Sequence, residues 1–215
     1  DPGRYLEILT QYFQSLGGEL VQAEAEDFII ENNQIKAVQT AGRTIDCASL
    51  VLTAGVWSGV LATKLGLTVP LESEGGYHIE LVNPSFMPKV PTLFAAAKFV
   101  ATPMEGRLRC AGIVEFAGLD APENNKASDF LLKRVKEVFP TLRWTDIRTW
   151  RGHRPSTPDS LPVIGPSEKI KNVYFAFGHQ HVGLGSGPRT GLIIADIIEG
   201  KKPAIDITPF RPNRF

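Results

Sequence analysis

The apolar residues of this chain recur with a helical period at its start and with a strand-like period over much of the remainder. In residues 4–16 the apolar side chains lie three and four positions apart, which predicts an amphipathic helix that ends at Gly17 and Gly18. The same spacing predicts helices over residues 57–65 and 128–138. Short alternating or continuous apolar runs predict strands over residues 19–21, 27–31, 35–40, 43–47, 49–53, 77–82, 93–101, 108–116 and 173–177.

The last third of the chain contains a strand that leads through a glycine-rich turn into an apolar helix. Strand 173–177 precedes the turn, and apolar residues recur at helical spacing over residues 192–198. Glycines at such a junction let a ligand approach the backbone closely, and the N–H groups and dipole at the helix start favour negative charge on that ligand. The alternative is an ordinary turn whose glycines permit tight packing. The turn contains Gly178, Gly183, Gly185 and Gly187.

The order of these elements predicts an α/β fold with an α+β domain inserted into it. The strand at residues 173–177 is expected to pack beside the strand at residues 49–53, in a partial Rossmann-like layer. The middle of the chain is predicted to form a mostly antiparallel sheet flanked by helices. One domain is therefore expected to comprise residues 1–68 and 150–215, and the other residues 69–149.

Composition excludes several classes of function. The 215 residues are enough for one large domain or two small ones, and 23 basic residues balance 23 acidic ones. Basic residues do not cluster or alternate with aromatic ones, so nucleic acid is not an expected partner. Every apolar stretch is far shorter than the roughly 20 residues of a spanning helix, so no membrane-spanning segment is expected. The polar opening segment is not typical of a signal peptide.

Neither the cysteines nor the histidines predict a metal or redox site. Cys47 and Cys110 lie far apart and match no ligand or disulfide spacing, and both are interpreted as buried small hydrophobic residues in a reducing compartment. His179 and His181 have no Cys, Asp or Glu cluster near them in the sequence, so no metal is expected there.

Arg154 is the candidate for binding an acid. It lies in a Pro-rich loop that reads GHRPSTPD. A planar guanidinium can donate two parallel hydrogen bonds to a carboxylate, which fixes the orientation of the bound molecule. The alternative interpretation is a surface arginine that pairs with Asp159 or with a backbone carbonyl.

Four stretches, taken together and in this order, resemble one known family. They read LVLTAGVWSGVLATKLGL, EGGYHIEL, WRGHRPSTPDSLPVIG and FAFGHQHVGLGSGPRTGLIIADII. With the strands between them they cover almost the whole chain. The sequence resembles the C-terminal part of an FAD-dependent D-amino acid dehydrogenase, within the wider family of D-amino acid oxidase, glycine oxidase and sarcosine oxidase.

The resemblance implies that part of the cofactor-binding domain precedes this chain in a longer protein. Family members begin with a strand–GxGxxG–helix unit that holds the FAD pyrophosphate. No such unit occurs here, so the chain is expected to be a fragment that does not retain FAD alone. Residues 1–68 and 150–215 would be the remaining part of the FAD-binding domain, and residues 69–149 the substrate-binding domain.

The resemblance also assigns roles to individual residues. Arg154 would bind the substrate carboxylate, and Tyr77 and His78 would line the substrate pocket, although Gly75 stands where the family usually has an arginine. For Trp57, the alternative to an FAD contact is that its side chain anchors the start of a helix in the core. His179 is a possible proton-transfer residue; no other catalytic residue is implied. The implied FAD contacts are Gly55, Val56, Trp57, Gly178, His179, Gly183, Leu184, Gly185 and Ser186.

The implied reaction is oxidative deamination of D-amino acids to 2-oxo acids, by hydride transfer from Cα to flavin N5. Oxidation of glycine, sarcosine or another secondary amine is the alternative within the enzyme class, and a non-catalytic binding subunit the alternative outside it. The electron acceptor, a quinone chain or oxygen, stays open. The resemblance implies a cytoplasmic protein, with peripheral association with the inner membrane as a further possibility.

Overall fold

The computed structural model describes residues 1–215 and divides them into two compact units. The split unit consists of Pro2–Glu72 and Arg154–Phe215, and the inserted unit of Asp1 and Ser73–His153. In chain order the helices and strands are α1 (Pro2–Ser15), β1 (Ala25–Glu31), β2 (Gln34–Thr40), β3 (Arg43–Asp46), β4 (Leu50–Leu52), α2 (Ser58–Lys64), β5 (Glu72–Val82), β6 (Thr92–Phe94), β7 (Phe99–Met104), β8 (Arg107–Glu115), α3 (Asn125–Val138), β9 (Asp146–Ser156), β10 (Val163–Pro166), β11 (Val173–Phe177) and α4 (Gly183–Ile198).

The split unit contains two three-stranded sheets. Strands β1, β2 and β3 form an antiparallel meander, and Asn32 and Asn33 make the first turn with positive φ angles of 51° and 58°. Such angles suit the short hairpin turns that match the twist of paired strands. In the second sheet β11 lies between β10 and β4 and runs parallel to β4. The predicted packing of strand 173–177 beside strand 49–53 is therefore confirmed.

The core of the split unit lies under the second sheet. Phe175 and Phe177 of β11 are buried and meet edge to face, with ring centroids 6.2 Å apart. Leu65, at the end of α2, is also fully buried in this cluster. A continuous apolar strand such as β11 is typical of a strand covered on both faces, and Ala176 packs in the opposite direction, against Ile193 of α4.

The inserted unit consists of a five-stranded sheet with α3 on one face. The strand order is β6-β7-β8-β5-β9, and the β6–β7, β7–β8 and β8–β5 pairs are antiparallel. Alternate residues of β5 point toward α3, where Ile79 and Leu81 pack with Leu131 and Val135. The side chain of Asn124 accepts a hydrogen bond from the N–H of Lys126 and so caps α3. The predicted mixed fold, with a mostly antiparallel sheet, is confirmed.

Several predicted elements differ from the structure. Residues 19–21 form no strand, and the strand predicted over 93–101 is two strands separated by a turn in which Lys98 has a φ of 57°. Strands β9 and β10 were not predicted. Because β9 extends to Ser156, Arg154 lies in a strand and not in a loop.

Exposure corrects the interpretation of one cysteine. Cys110 is fully buried, and burial raises the pKa of its thiol to about 12. Cys47 is only partly buried, just beyond β3, and both thiols are free.

None of the helices combines the length and the apolar character needed to cross a membrane. No group of three or more His, Cys, Asp or Glu side chains is arranged to hold a metal ion.

Candidate cofactor and substrate site

The turn between β11 and α4 depends on one glycine for its shape. Gly178 has a φ of 83°, and a Cβ atom there would lie 3.2 Å from Cγ2 of Thr157. A side chain would therefore be strained in both backbone angle and space. Gln180 also has a positive φ, 49°, and α4 begins three residues later at Gly183.

The first turn of α4 leaves two backbone donors without a carbonyl partner. The N–H groups of Gly185 and Ser186 both donate to the carbonyl oxygen of Val182, at 3.0 and 2.9 Å. The remaining N–H groups at the helix start are those of Gly183 and Leu184. Together with the positive end of the helix dipole, they favour a ligand atom that carries negative charge.

Three of the four glycines of α4 are open, whereas a Cβ atom at Gly183 would lie 3.3 Å from Cβ of His179. A Cβ atom at Gly185, Gly187 or Gly191 would meet no other atom within 4 Å. Of the four turn glycines, Gly185 and Gly187 have open space around them, whereas Gly178 and Gly183 lie close to neighbouring side chains. Beside the helix is a cavity of about 290 Å³. It is lined by Val51, Thr53, Ala176, His179, Gly187, Thr190, Gly191 and Ile194.

His179 is the one histidine of the turn that lines this cavity. Its Nε2 atom lies 2.9 Å from Oγ1 of Thr190, a residue that is itself buried. Burial lowers the pKa of His179 below its usual value of 6.5, so its imidazole is neutral at pH 7. His181 is exposed and does not line the cavity.

The segment that follows Arg154 is hydrogen-bonded to the same turn. The N–H of Gln180 donates to the carbonyl oxygen of Pro155, and its side-chain amide donates to that of Thr157, both at 3.3 Å. The structure therefore brings Arg154 and the glycine turn into one region of the split unit. Asp159 forms its ion pair with Arg214.

The segment Gly55–Trp57 forms a short 3₁₀ helix directly after β4. Gly55 has a φ of 57°, and a Cβ atom there would meet nothing within 4 Å. Val56 is buried, whereas the Trp57 indole is 56% exposed. The core anchor is therefore Val56, and the alternative of Trp57 as an anchor is wrong. Ser58, which was not predicted, is fully buried, and its hydroxyl has no hydrogen-bond partner.

Tyr77 and His78 lie on opposite faces of β5 in the inserted unit. Tyr77 is buried in the core, where its hydroxyl donates to Oε2 of Glu115 at 2.5 Å and accepts from the N–H of Asn124 at 3.1 Å. These bonds stabilise the start of α3, and the assignment of Tyr77 to a substrate pocket stays a prediction.

His78 stacks on Trp150, with ring centroids 4.8 Å apart. Its Nδ1 atom is buried without a hydrogen-bond partner. Burial and then the charges of Arg109 and Arg107 lower the pKa of His78 to about 4, so the ring is neutral at pH 7. Trp150, Gln180, Thr190 and Arg214 were not predicted as site residues. Each acts through a partner that lies on another segment of the fold, and no local pattern in the sequence marks such a pair.

Comparison with known proteins places the chain in a family. Residues 1–197 match the DAO family, described as FAD dependent oxidoreductase. A D-amino-acid oxidase of Bradyrhizobium diazoefficiens is 39% identical over the whole chain and 52% of its own length, and a D-amino acid dehydrogenase of Paramagnetospirillum magneticum is 31% identical over 88% of the chain and 46% of its own length.

Among solved structures, the glycine oxidase of Geobacillus kaustophilus superposes with a TM-score of 0.76 at 26% identity. The superposition covers 90% of this chain and 52% of that one. The chain thus spans about half the length of the curated relatives it matches. Since the family match extends over most of the sequence, the chain belongs to this family of FAD-dependent oxidoreductases.

Proposed function

We propose that the protein containing this chain is an FAD-dependent enzyme that oxidatively deaminates D-amino acids to 2-oxo acids. The family and the 39% identity to a D-amino-acid oxidase support the reaction class. The observation that carries the proposal is the open glycine face at the start of α4. Glycines with empty space around them allow a flat ligand to lie against the backbone.

The residues at the start of α4 fit a flavin. The N–H groups of Gly183 and Leu184 are available to an electron-rich ring edge, and Gly185 leaves room for it. FAD, when bound, supplies the acceptor for the hydride that leaves the substrate Cα. The contribution of the chain is electrostatic: donors fixed before the reaction stabilise negative charge as it develops. Gly55 leaves comparable open space after β4.

Arg154 is proposed to bind the substrate carboxylate. Two parallel hydrogen bonds from its guanidinium fix the direction of the Cα–H bond, and such positioning supplies a large part of the rate in a reaction between two bound groups. A strand holds its backbone more firmly than a loop would. If the substrate amine binds in its neutral form, the reaction needs no side-chain base.

The two units receive separate roles in this proposal. The split unit, which contains Gly55 and α4, is assigned to FAD binding, and the inserted unit to substrate binding. In the inserted unit, His78 and Trp150 are the residues proposed to contact substrate. Tyr77 is omitted because its ring and hydroxyl are engaged in the core.

The test is a flavin spectrum with D-alanine titration. The chain is extended at its N-terminus by the GxGxxG unit that the resemblance implies, and D-alanine is expected to bleach the bound flavin. Arg154→Ala should raise KM by about 100-fold, since charge-assisted hydrogen bonds contribute about 1.5–3 kcal/mol each. Arg154→Lys keeps the positive charge but lacks the planar guanidinium that donates two parallel hydrogen bonds. Arg148→Ala, which removes an exposed arginine of β9, is the control. An extended protein without bound flavin would overturn the enzyme proposal in favour of a binding subunit.

Oxidation of glycine or a secondary amine is the second candidate. It is favoured by the similarity to a glycine oxidase structure, at a TM-score of 0.76 and 26% identity. The same titration separates the two: faster bleaching by glycine or sarcosine than by D-alanine would replace the first proposal with the second.

A further inference from the structure

All the N–H groups of the Arg214 guanidinium donate hydrogen bonds. Their acceptors lie in the segment that follows Arg154 and in the C-terminal residues next to Arg214 itself. Nε and Nη2 bind the two carboxylate oxygens of Asp159, at 2.6 and 3.1 Å. Nη2 also donates to the carbonyl oxygen of Leu161 at 2.7 Å. Nη1 donates to the carbonyl oxygens of Phe210 and Arg211, both at 3.2 Å. These bonds account for all five N–H donors of an arginine.

Burial of the arginine distinguishes this cluster from an ordinary surface ion pair, although the Asp159 side chain is 35% exposed. The Arg214 side chain is only 9% exposed, and its guanidinium lies 4.4 Å from the ring centroid of Phe215. A bidentate arginine with little exposure holds its partner in one geometry, whereas exposed pairs contribute little.

The segment bound by Arg214 is also held in a turn by hydrogen bonds between residues near one another in the sequence. Thr157 Oγ1 donates to the carbonyl oxygen of Leu161 at 2.8 Å, and the N–H of Leu161 donates to Oδ1 of Asp159 at 3.1 Å. Ser160 has a φ of 61°, a conformation that a serine rarely adopts unless its surroundings impose it. Residues 157–161 therefore form a compact turn whose carboxylate and last carbonyl both accept from Arg214.

The same segment is fixed at its other end by the glycine turn, through the two bonds from Gln180 to Pro155 and Thr157. Arg154 thus directly precedes a segment that is bound by the β11–α4 turn on one side and by the C-terminal tail on the other. We infer that Arg214 is a positioning residue: through Asp159 it fixes the backbone that carries Arg154, and so sets the affinity for the substrate carboxylate. This inference rests on the role proposed for Arg154.

The first experiment measures positioning without reference to activity. Amide hydrogen exchange is compared between the full chain and its Arg214→Gln variant. We expect exchange at Ser160 and Leu161 to rise at least tenfold, with β1–β3 unchanged. Arg211→Ala, an exposed arginine of the same tail, is the control and should leave the segment protected. Unchanged exchange at Ser160 and Leu161 in Arg214→Gln would overturn the inference, whatever the protein catalyses.

The second experiment uses the FAD-loaded extended protein. Arg214→Gln and Asp159→Asn should each raise the KM for D-alanine about tenfold and change kcat less than threefold, and Arg214→Lys should restore only part of the affinity because a point charge lacks the fork. In an Arg154→Ala background, Arg214→Gln should have no further effect on KM. An equal effect in both backgrounds, or a fall in kcat without a change in KM, would overturn the inference. Failure of the proposed function would show differently, as an extended protein that no amino acid reduces.

Discussion

His179 Nε2 lies 2.9 Å from the Thr190 hydroxyl oxygen, and this contact joins the glycine turn to the second turn of α4. Both residues line the 290 Å³ cavity beside the helix. Thr190 is 7% exposed, so its hydroxyl has little contact with water. The contact fixes the imidazole orientation and the spacing between the turn and the helix face. It therefore connects the β11–α4 turn to the wall of the cavity that α4 forms.

Thr190→Val tests this link, because valine has nearly the same shape and cannot hydrogen-bond. We expect the free energy of unfolding of the chain to fall by about 1–2 kcal/mol, since the partly buried His179 loses its hydrogen-bond partner. Thr190→Ser should retain most of the stability. The measurement is urea denaturation, combined with His179→Ala in a double-mutant cycle. Additive effects of the two substitutions would show that the contact contributes nothing.

The open glycines of α4 allow folding and cofactor binding to be separated. Gly185→Ala should raise the free energy of unfolding by about 0.5–1 kcal/mol, because alanine favours a helix more than glycine does and its methyl group meets nothing within 4 Å. In the extended protein the same methyl group should weaken FAD binding at least tenfold, because it occupies the face proposed to contact the ring.

Gly59→Ala is the matched control for that prediction. Gly59 lies in α2, and its added Cβ would make only an ordinary 3.6 Å contact with Leu71. It should gain similar stability and bind FAD normally. Thermal unfolding measures the first effect, and flavin fluorescence during cofactor titration the second. Normal FAD affinity in Gly185→Ala would remove α4 from the proposed cofactor site.

Much of the split unit could be predicted because its signals are local. The apolar run 173–177 is bounded by polar residues and a glycine, and it coincides with β11. The amphipathic spacing of α1 similarly placed a helix within two residues of its observed ends. Both signals depend only on near neighbours in the sequence, which is the information that periodicity contains.

Strand β9 and the Arg214 cluster could not be predicted because long-range contacts define them. Strand β9 contains Gly152 and Pro155, which weaken a strand pattern, and its burial does not alternate; pairing with β5 defines it. Asp159 and Arg214 are 55 residues apart and meet only after the tail folds back. The resemblance indicated Arg154, but only the structure shows what holds its segment.

His78 should make the stability of the chain depend on pH below neutrality. Its folded pKa, about 4, is below its ordinary value of 6.5, because burial and then Arg109 and Arg107 disfavour the charged ring. Between these values the unfolded chain binds a proton that the folded chain does not. Stability is therefore highest above pH 6.5 and falls as the pH decreases toward 4. The loss from this one group should be about 3 kcal/mol by pH 4, since one pKa unit corresponds to about 1.4 kcal/mol.

His78→Phe is the variant that tests this dependence, because it keeps an aromatic ring against Trp150 and removes the titration. Denaturant unfolding at pH 7, 6, 5 and 4 should show a shallower decline for His78→Phe than for the unaltered chain. His153 and His179, whose pKa values burial also lowers, contribute to the slope that remains. Glu115, Asp159 and Asp206 contribute as well, because hydrogen bonds lower the pKa of each carboxyl group. Glu80 Oε1 lies 3.9 Å from Nε2 of His78 and would favour the charged ring. Parallel curves for His78→Phe and the unaltered chain would show that His78 is protonated as readily in the folded state as in the unfolded one, which would contradict the effect of its burial.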